Sequence, residues 1–186
     1  RCGICGELRF DHEQPDKGRI QQMQLKLANR GPDSEGVYMD GPLAFGHRRL
    51  AIIDLSDKSS QPMLDKKTGS VIVFNGTIYN YPELKKQLQQ KGHSFESSGD
   101  TEVILKAYAE WGVDCVQHLH GMFAFAIWDP KTRKVMLARD RVGIKPLYFS
   151  LNDNRLLFAS NTQALLAADR SIDTSIDSFA LHNLFT

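Results

Sequence analysis

Cysteine is scarce in this chain: there are three among 186 residues, Cys2, Cys5 and Cys115. So small and odd a number excludes a disulfide framework and fits a reducing compartment. Long apolar runs are missing too, so no segment reads as a membrane-spanning helix, and no basic, apolar and small-residue leader is expected at the start. A cytoplasmic location is the default expectation. Nor is there charge of one sign: 23 Lys and Arg against 22 Asp and Glu leave a formal net charge of +1. With the basic residues scattered, an electrostatic footprint for nucleic acid or an anionic membrane is not expected. Internal repeats, low-complexity tracts and a glycine-rich phosphate loop are also lacking. What remains is an ordinary globular composition, 41% hydrophobic and 24% charged, in a length that suits one sizeable domain able to bury a core without staples.

The order of patterns predicts an α+β chain of mainly antiparallel strands rather than a βαβ repeat. Ile4, Leu8 and Phe10 share one alternation, which predicts a strand over 3–10, and apolar residues at near-helical spacing predict a helix over 16–29. Short strands are expected at 36–39 and 43–47, and another at 71–74. That last one runs into Asn75-Gly76, which taken alone reads as a turn. Helices are expected over 81–90 and from Thr101, where Asp100 could be only an N-cap, and a short one over 114–119. The continuous apolar run Met122 to Trp128 predicts a strand buried on both faces. Strands at 134–138, 146–149 and 156–159 and helices at 162–168 and 176–184 complete the expectation.

Chemistry enters at the first five residues, Arg1-Cys2-Gly3-Ile4-Cys5. A cysteine at a free chain start carries its own base, because its α-amino group (pKa about 8) lies within reach of its thiol (about 8.5). The bland reading is a small hydrophobe near a chain end.

Taken in order, Cys2-Gly3-Ile4, Arg30-Gly31-Pro32-Asp33, Gly46-His47-Arg48-Arg49-Leu50-Ala51-Ile52-Ile53-Asp54, Gln61-Pro62-Met63, Phe74-Asn75-Gly76-Thr77-Ile78-Tyr79-Asn80, Gly99-Asp100-Thr101-Glu102 and Ala138-Arg139-Asp140 through Lys145-Pro146-Leu147-Tyr148 resemble the glutaminase domain of class II glutamine amidotransferases. The arginine-leucine and lysine-proline-leucine-tyrosine runs are similar to the asparagine synthetase branch. The runs Cys5 to Phe10 and Gly121 to Ala126 lean toward bacterial N-acetylglutaminylglutamine amidotransferases. The resemblance covers nearly the whole chain and implies a four-layer αββα N-terminal nucleophile hydrolase sandwich over residues 1–186, with 176–186 opening a junction to a synthetase domain.

It also implies roles. Cys2 attacks the side-chain amide of glutamine, its α-amino group moves the proton to the departing ammonia, and water hydrolyses the thioester. Asn75 and the backbone of Gly76 supply oxyanion donors and belong to the substrate-binding set with Arg49, Leu50, Ile52 and Asp100. Arg49 reads the α-carboxylate and Asp100 the α-ammonium. Arg48 is the rival for Arg49, which is preferred because it directly precedes the Leu-Ala-Ile run. Arg139-Asp140 and Lys145 read as fold determinants or as a surface toward a second domain. The implied partners are glutamine and a linked or docked synthetase domain, with a homodimer left open and neither nucleic acid nor membrane expected. No cofactor or metal is expected here, ATP and Mg belonging to the synthetase domain.

Three residues depart from the family pattern. Arg1, where a cleavable methionine is usual, would turn the amine of Cys2 into an amide and remove the base. Thr77 replaces a glutamate, which leaves more of the substrate ammonium to Asp100 and predicts looser glutamine binding. Asn161 also replaces a glutamate. Two alternatives therefore stand beside the glutaminase: a blocked glutamine-binding or docking domain, and a metal or redox module on Cys2 and Cys5 completed by His118 and His120. The second is disfavoured because His118-Leu119-His120 has the wrong spacing for a second ligand pair.

Overall fold

A computed structural model describes residues 2–27, 33–50, 60–173 and 183–185. Strand β1 (Gly3–Arg9) is followed by α1 (Lys17–Leu27), β2 (Asp33–Asp40), β3 (Leu43–Leu50), β4 (Met63–Leu64) and β5 (Val71–Ile78). Helices α2 (Tyr81–Gln90) and α3 (Thr101–Trp111) and a 3-10 segment (Gly112–His118) come next. The chain then forms β6 (Gly121–Asp129), β7 (Lys134–Arg139), β8 (Tyr148–Leu151), β9 (Arg155–Ala159), α4 (Thr162–Ala168) and β10 (Asn183–Phe185).

Two five-stranded sheets result, ordered β2-β3-β1-β9-β8 and β10-β7-β6-β5-β4. All their pairings are antiparallel. Strand alternation sorts the core into layers, since successive side chains point to opposite faces. Ile4 and Leu8 of β1, Val71 and Val73 of β5, and Ala124, Ala126 and Trp128 of β6 pack between the sheets. The intervening residues Ile72, Phe74, Phe125 and Ile127 pack outward under α2 and α3. On the other side Cys5, Ala44 and Leu157 meet Ile20 and Met23 of α1 and Leu165 of α4. The order is helices, sheet, sheet, helices, which is the αββα sandwich expected. Between the sheets the Phe45 and Phe158 rings meet edge to face at 5.5 Å, a geometry worth about 1 kcal/mol beyond area burial. Buried Trp128 spends its indole N–H on Asp40 Oδ2 at 3.0 Å.

Four expectations need correction. Asn75-Gly76 is no turn: β5 runs through it to Ile78, paired with β6 all the way from Val71↔Trp128 to Ile78↔Gly121. A partner strand along the full length overrides the local turn preference. Asp100 stands at the N-cap position of α3 but makes no side-chain cap bond; its φ of −85° and ψ of −18° are helical, whereas a capping residue needs an extended backbone to aim its oxygen at the first turn. The strand expected over 146–149 is Tyr148–Leu151 instead, because Pro146 has no N–H to give a ladder. Of the helix expected over 176–184, residues 176–182 lie outside the described residues, and Asn183–Phe185 is a strand against β7. It supplies hydrogen-bond partners to a strand edge that would otherwise lack them.

Candidate active site

Cys2 sits one residue ahead of β1, on the inter-sheet side of the alternation that carries Ile4 and Leu8. The start of the strand is held twice, by Ile4 N donating to Ser160 Oγ and by Ser160 N donating to Ile4 O, both at 2.9 Å. In the β1–β3 register Gly3 faces Arg48 and Ile4 faces His47, so one further step puts Arg49 opposite Cys2. The electrostatics agree with that geometry. Burial pushes the Cys2 thiol pKa up; positive charge, Arg49 and Lys145 included, opposes the rise, and Asp100 adds to it. A cation and an anion from two different layers thus act on one half-buried sulfur.

Asn75 is buried and shares the alternation of Val71 and Val73, which points it from the second sheet toward the first. Its neighbour Gly76 has φ of 144°, and a Cβ there would lie 2.0 Å from Met122 O and 2.7 Å from Phe123 Cα. Only glycine lets β5 and β6 close up at this point. Facing Gly76 across the ladder, Phe123 is pinned by Asp140, whose Oδ2 accepts from Phe123 N at 2.9 Å and whose Oδ1 accepts from Gly143 N at 2.8 Å. Asp140 is therefore a fold determinant, as its motif suggested. Asn80 secures the end of the segment, donating to His118 O at 2.9 Å and accepting from His120 N at 3.0 Å.

Instead of capping α3, Asp100 accepts from Ile78 N at 2.9 Å through Oδ2, which fixes its carboxylate at the end of the strand that carries Asn75. Burial raises its pKa, and the bond from Ile78 N works against the rise. The loop before it is held by buried Glu102, which accepts from Glu96 N, Ser97 N and Ser97 Oγ at 2.7–3.1 Å. The buried Glu102 carboxylate thereby finds its partners on the loop before its helix.

Arg48 and Arg49 separate by alternation. Arg48 forms an ion pair with Glu35 at 3.1 Å. Arg49 shares with His47, Ser34, Glu35, Ser60 and Gln61 a small cavity of about 60 Å³. Gln61 reaches across to the second sheet, its Oε1 accepting from Phe74 N at 2.6 Å.

Cys2, Arg49, Asn75, Gly76 and Asp100 thus come from β1, β3, β5 and the start of α3 to one end of the sandwich. Leu50 ends β3 opposite Asp33; its side chain, together with Ile52 and the Arg30-Gly31-Pro32 run, lies outside the described residues. Sequence reasoning gave no role to His47 or Gln61, although both lie inside the quoted motifs. It read Lys145 as a fold determinant or a surface toward a second domain; the Lys145 charge also opposes the rise in the Cys2 thiol pKa. The metal or redox alternative fails on geometry. Cys5 points into the α1 side of its sheet, fully buried, with its pKa pushed up to about 12 by that burial, and Cys2 faces the other way. His118 is stacked on Trp111, ring centroids 3.7 Å apart. Asn161 also gains an account: its Oδ1 caps α4 through Ala164 N at 2.8 Å and its Nδ2 donates to Lys26 O at 2.9 Å.

Compared with known families, residues 1–186 match the model described as the glutamine amidotransferase domain. The chain belongs to that family. It is 40% identical to asparagine synthetase [glutamine-hydrolyzing] 3 of Bacillus subtilis, over 99% of this chain and 30% of that protein. It is likewise 40% identical to the putative asparagine synthetase [glutamine-hydrolyzing] 2 of Methanocaldococcus jannaschii, over 89% of this chain and 35% of that one. The chain therefore spans about a third of the length of these relatives, and within the class II amidotransferases it is of the asparagine synthetase type. Among solved structures, glutamine phosphoribosylpyrophosphate amidotransferase of Bacillus subtilis superposes with a TM-score of 0.72 at 23% identity, covering 90% of this chain and 43% of that one. At that identity the likeness speaks for the fold alone, the N-terminal nucleophile hydrolase sandwich.

Proposed function

We propose that this amidotransferase domain hydrolyses the side-chain amide of glutamine through a thioester on Cys2, releasing glutamate and ammonia. The observation that carries the reading is that strand register sets a cation, Arg49, opposite Cys2 while an anion, Asp100, is held at the end of the strand that carries Asn75, so that charges of both signs bear on the half-buried thiol. A free amino acid is neutral overall but charged at both ends, so a site that selects it needs one charge of each sign. Arg49 takes the α-carboxylate by charge-assisted hydrogen bonds, and Asp100 takes the α-ammonium.

The chemistry follows from the sulfur's surroundings. Burial keeps the proton on the thiol, so attack requires a base. Once Cys2 stands at the free chain start, its own α-amino group is that base. The sulfur bonds to the amide carbon, the carbonyl oxygen becomes an oxyanion held by the Asn75 side chain and the Gly76 N–H, and the amine returns the proton to the leaving nitrogen. Ammonia departs. Water then attacks the thioester, the same amine accepts its proton, and glutamate leaves with the thiol restored. Ammonia is passed to an ATP-dependent amide-forming portion beyond this chain, in keeping with the length of the relatives.

A second reading, a glutamine-binding or docking domain without turnover, draws on Arg1, which as long as it is attached holds the Cys2 nitrogen as an amide. Intact mass before and after treatment with a glutamine-like diazoketone separates the two. The hydrolytic reading expects a starting mass without Arg1 and a single adduct mapped to Cys2. Retained Arg1 with unmodified Cys2 would sink it in favour of the binding domain.

A further inference from the structure

Beside Arg49 lies a buried polar group that the proposed reaction leaves unused. His47 is 2% exposed and stands two residues before Arg49 on β3, so the two side chains share the inter-sheet face. Burial drives its pKa down to about 4 and the Arg49 charge adds to the fall, against a backbone hydrogen bond with Phe74. The ring is therefore neutral at physiological pH and carries a single N–H. Among the described residues Nε2 has no hydrogen-bond partner, so the proton belongs on Nδ1, donated to the Phe74 carbonyl. Nε2 is then a lone pair without a partner on a residue that lines, with Arg49, Gln61 and Ser60, the cavity of about 60 Å³.

A buried acceptor without a partner is costly and rare in folded proteins, and here the neighbouring element is a forked donor. Two independent anchors keep the imidazole in place. The Phe74 bond ties it to the second sheet, next to Asn75, and strand pairing sets its backbone opposite Ile4. A ring held on both sides is suited to fixing a long, flexible arginine in one rotamer.

We propose that His47 is the positioning residue for Arg49: its Nε2 accepts a hydrogen bond from one water in the shared cavity, which in turn accepts from the guanidinium, and so holds the fork toward the substrate α-carboxylate. The inference rests on the reading of Arg49 given above. It makes the neutral histidine part of carboxylate selection without contact to substrate. A protonated imidazole at the same place would repel the guanidinium, so the low pKa serves the arrangement.

The test separates His47 from a merely structural role by changing the substrate. Dissociation constants for glutamine and for glutamine α-amide, which lacks the carboxylate charge, are measured by calorimetry on the full chain carrying Cys2→Ser, so that neither ligand is turned over. His47→Asn keeps a donor for Phe74 and deletes the Nε2 acceptor. It is expected to weaken glutamine about tenfold and leave the α-amide within about twofold. His47→Gln, whose amide oxygen reaches the Nε2 position, should recover most of the loss, and Arg49→Lys combined with His47→Asn should cost little more than Arg49→Lys alone. If His47→Asn weakens both ligands equally, or neither, while Arg49→Lys still discriminates between them, the positioning role is overturned by itself. If Arg49→Lys weakens both ligands equally, the carboxylate reading falls and takes the role of His47 with it. Should His47→Asn not fold, His47→Gln alone decides: glutamine binding near that of the parent chain supports the role, and a loss shared by both ligands refutes it.

Discussion

Strand β1 has two ends that treat buried polarity in opposite ways. At its far end Glu7, with no exposed side-chain surface, is enclosed by Arg9 and Arg19, each at 3.0 Å. Both of its oxygens are committed, and Arg9 is paired in turn with Asp11. At the near end the half-buried Cys2 thiol feels Arg49 and Lys145 on one side and Asp100 on the other, and His47 Nε2 close by has no partner among the described residues. The strand is the same, but Glu7 is fully buried on its α1 face and Cys2 half-buried on its inter-sheet face. Complete pairing stabilises a fold and leaves nothing for a ligand, whereas a site has to keep donors and acceptors in reserve. The difference teaches that burial alone does not mark function; what sets the near end apart is that charges of both signs meet an unpaired acceptor beside a nucleophile.

That contrast can be broken from either end. The largest effect is expected at Asn75. If its amide is an oxyanion donor, Asn75→Ala should lower kcat for glutamine hydrolysis by about a hundred- to a thousandfold while thermal unfolding shifts little. A purely structural asparagine would do the reverse, and the paired rate and melting measurements tell the two apart. At the other end Glu7→Gln should do nothing to KM but should destabilise the fold by roughly 3 kcal/mol. That is the low end for a broken buried ion pair, because both arginines still reach water. Urea unfolding checks it, and an activity loss in the stable fraction would show that the two ends are not independent. The smallest effect belongs to Thr77, exposed two residues beyond Asn75. Thr77→Glu should lower KM for glutamine about two- to fivefold by adding a carboxylate near the ammonium end, a gain limited by solvent screening. An unchanged KM would leave Asp100 as sufficient.

Much of this was legible in the residues themselves. The short continuous apolar run Met122 to Trp128, helical spacing in Tyr81 to Gln90 and Thr101 to Trp111, and turn residues between them marked these elements and the α+β order, because such signals are local. The motifs around Cys2, Arg49, Asn75 and Asp100 likewise marked the candidate site by residue type. Other features were not written locally. Asn75-Gly76 reads as a turn until β6 pairs across it, and Asp100 reads as a cap until Ile78 N claims its carboxylate. Arg48 and Arg49 are equivalent in sequence, and one alternation step sends the first to Glu35 and the second into the cavity with His47. Lys145 approaches Cys2 from the far end of the chain. In each case the deciding partner is remote in sequence, and the strength of a charge or a hydrogen bond depends on what has been folded around it. The sequence by itself determined most of the elements, those with a local period, and which side chains could react; only the packing of two sheets face to face decided which of them meet, and how far from water.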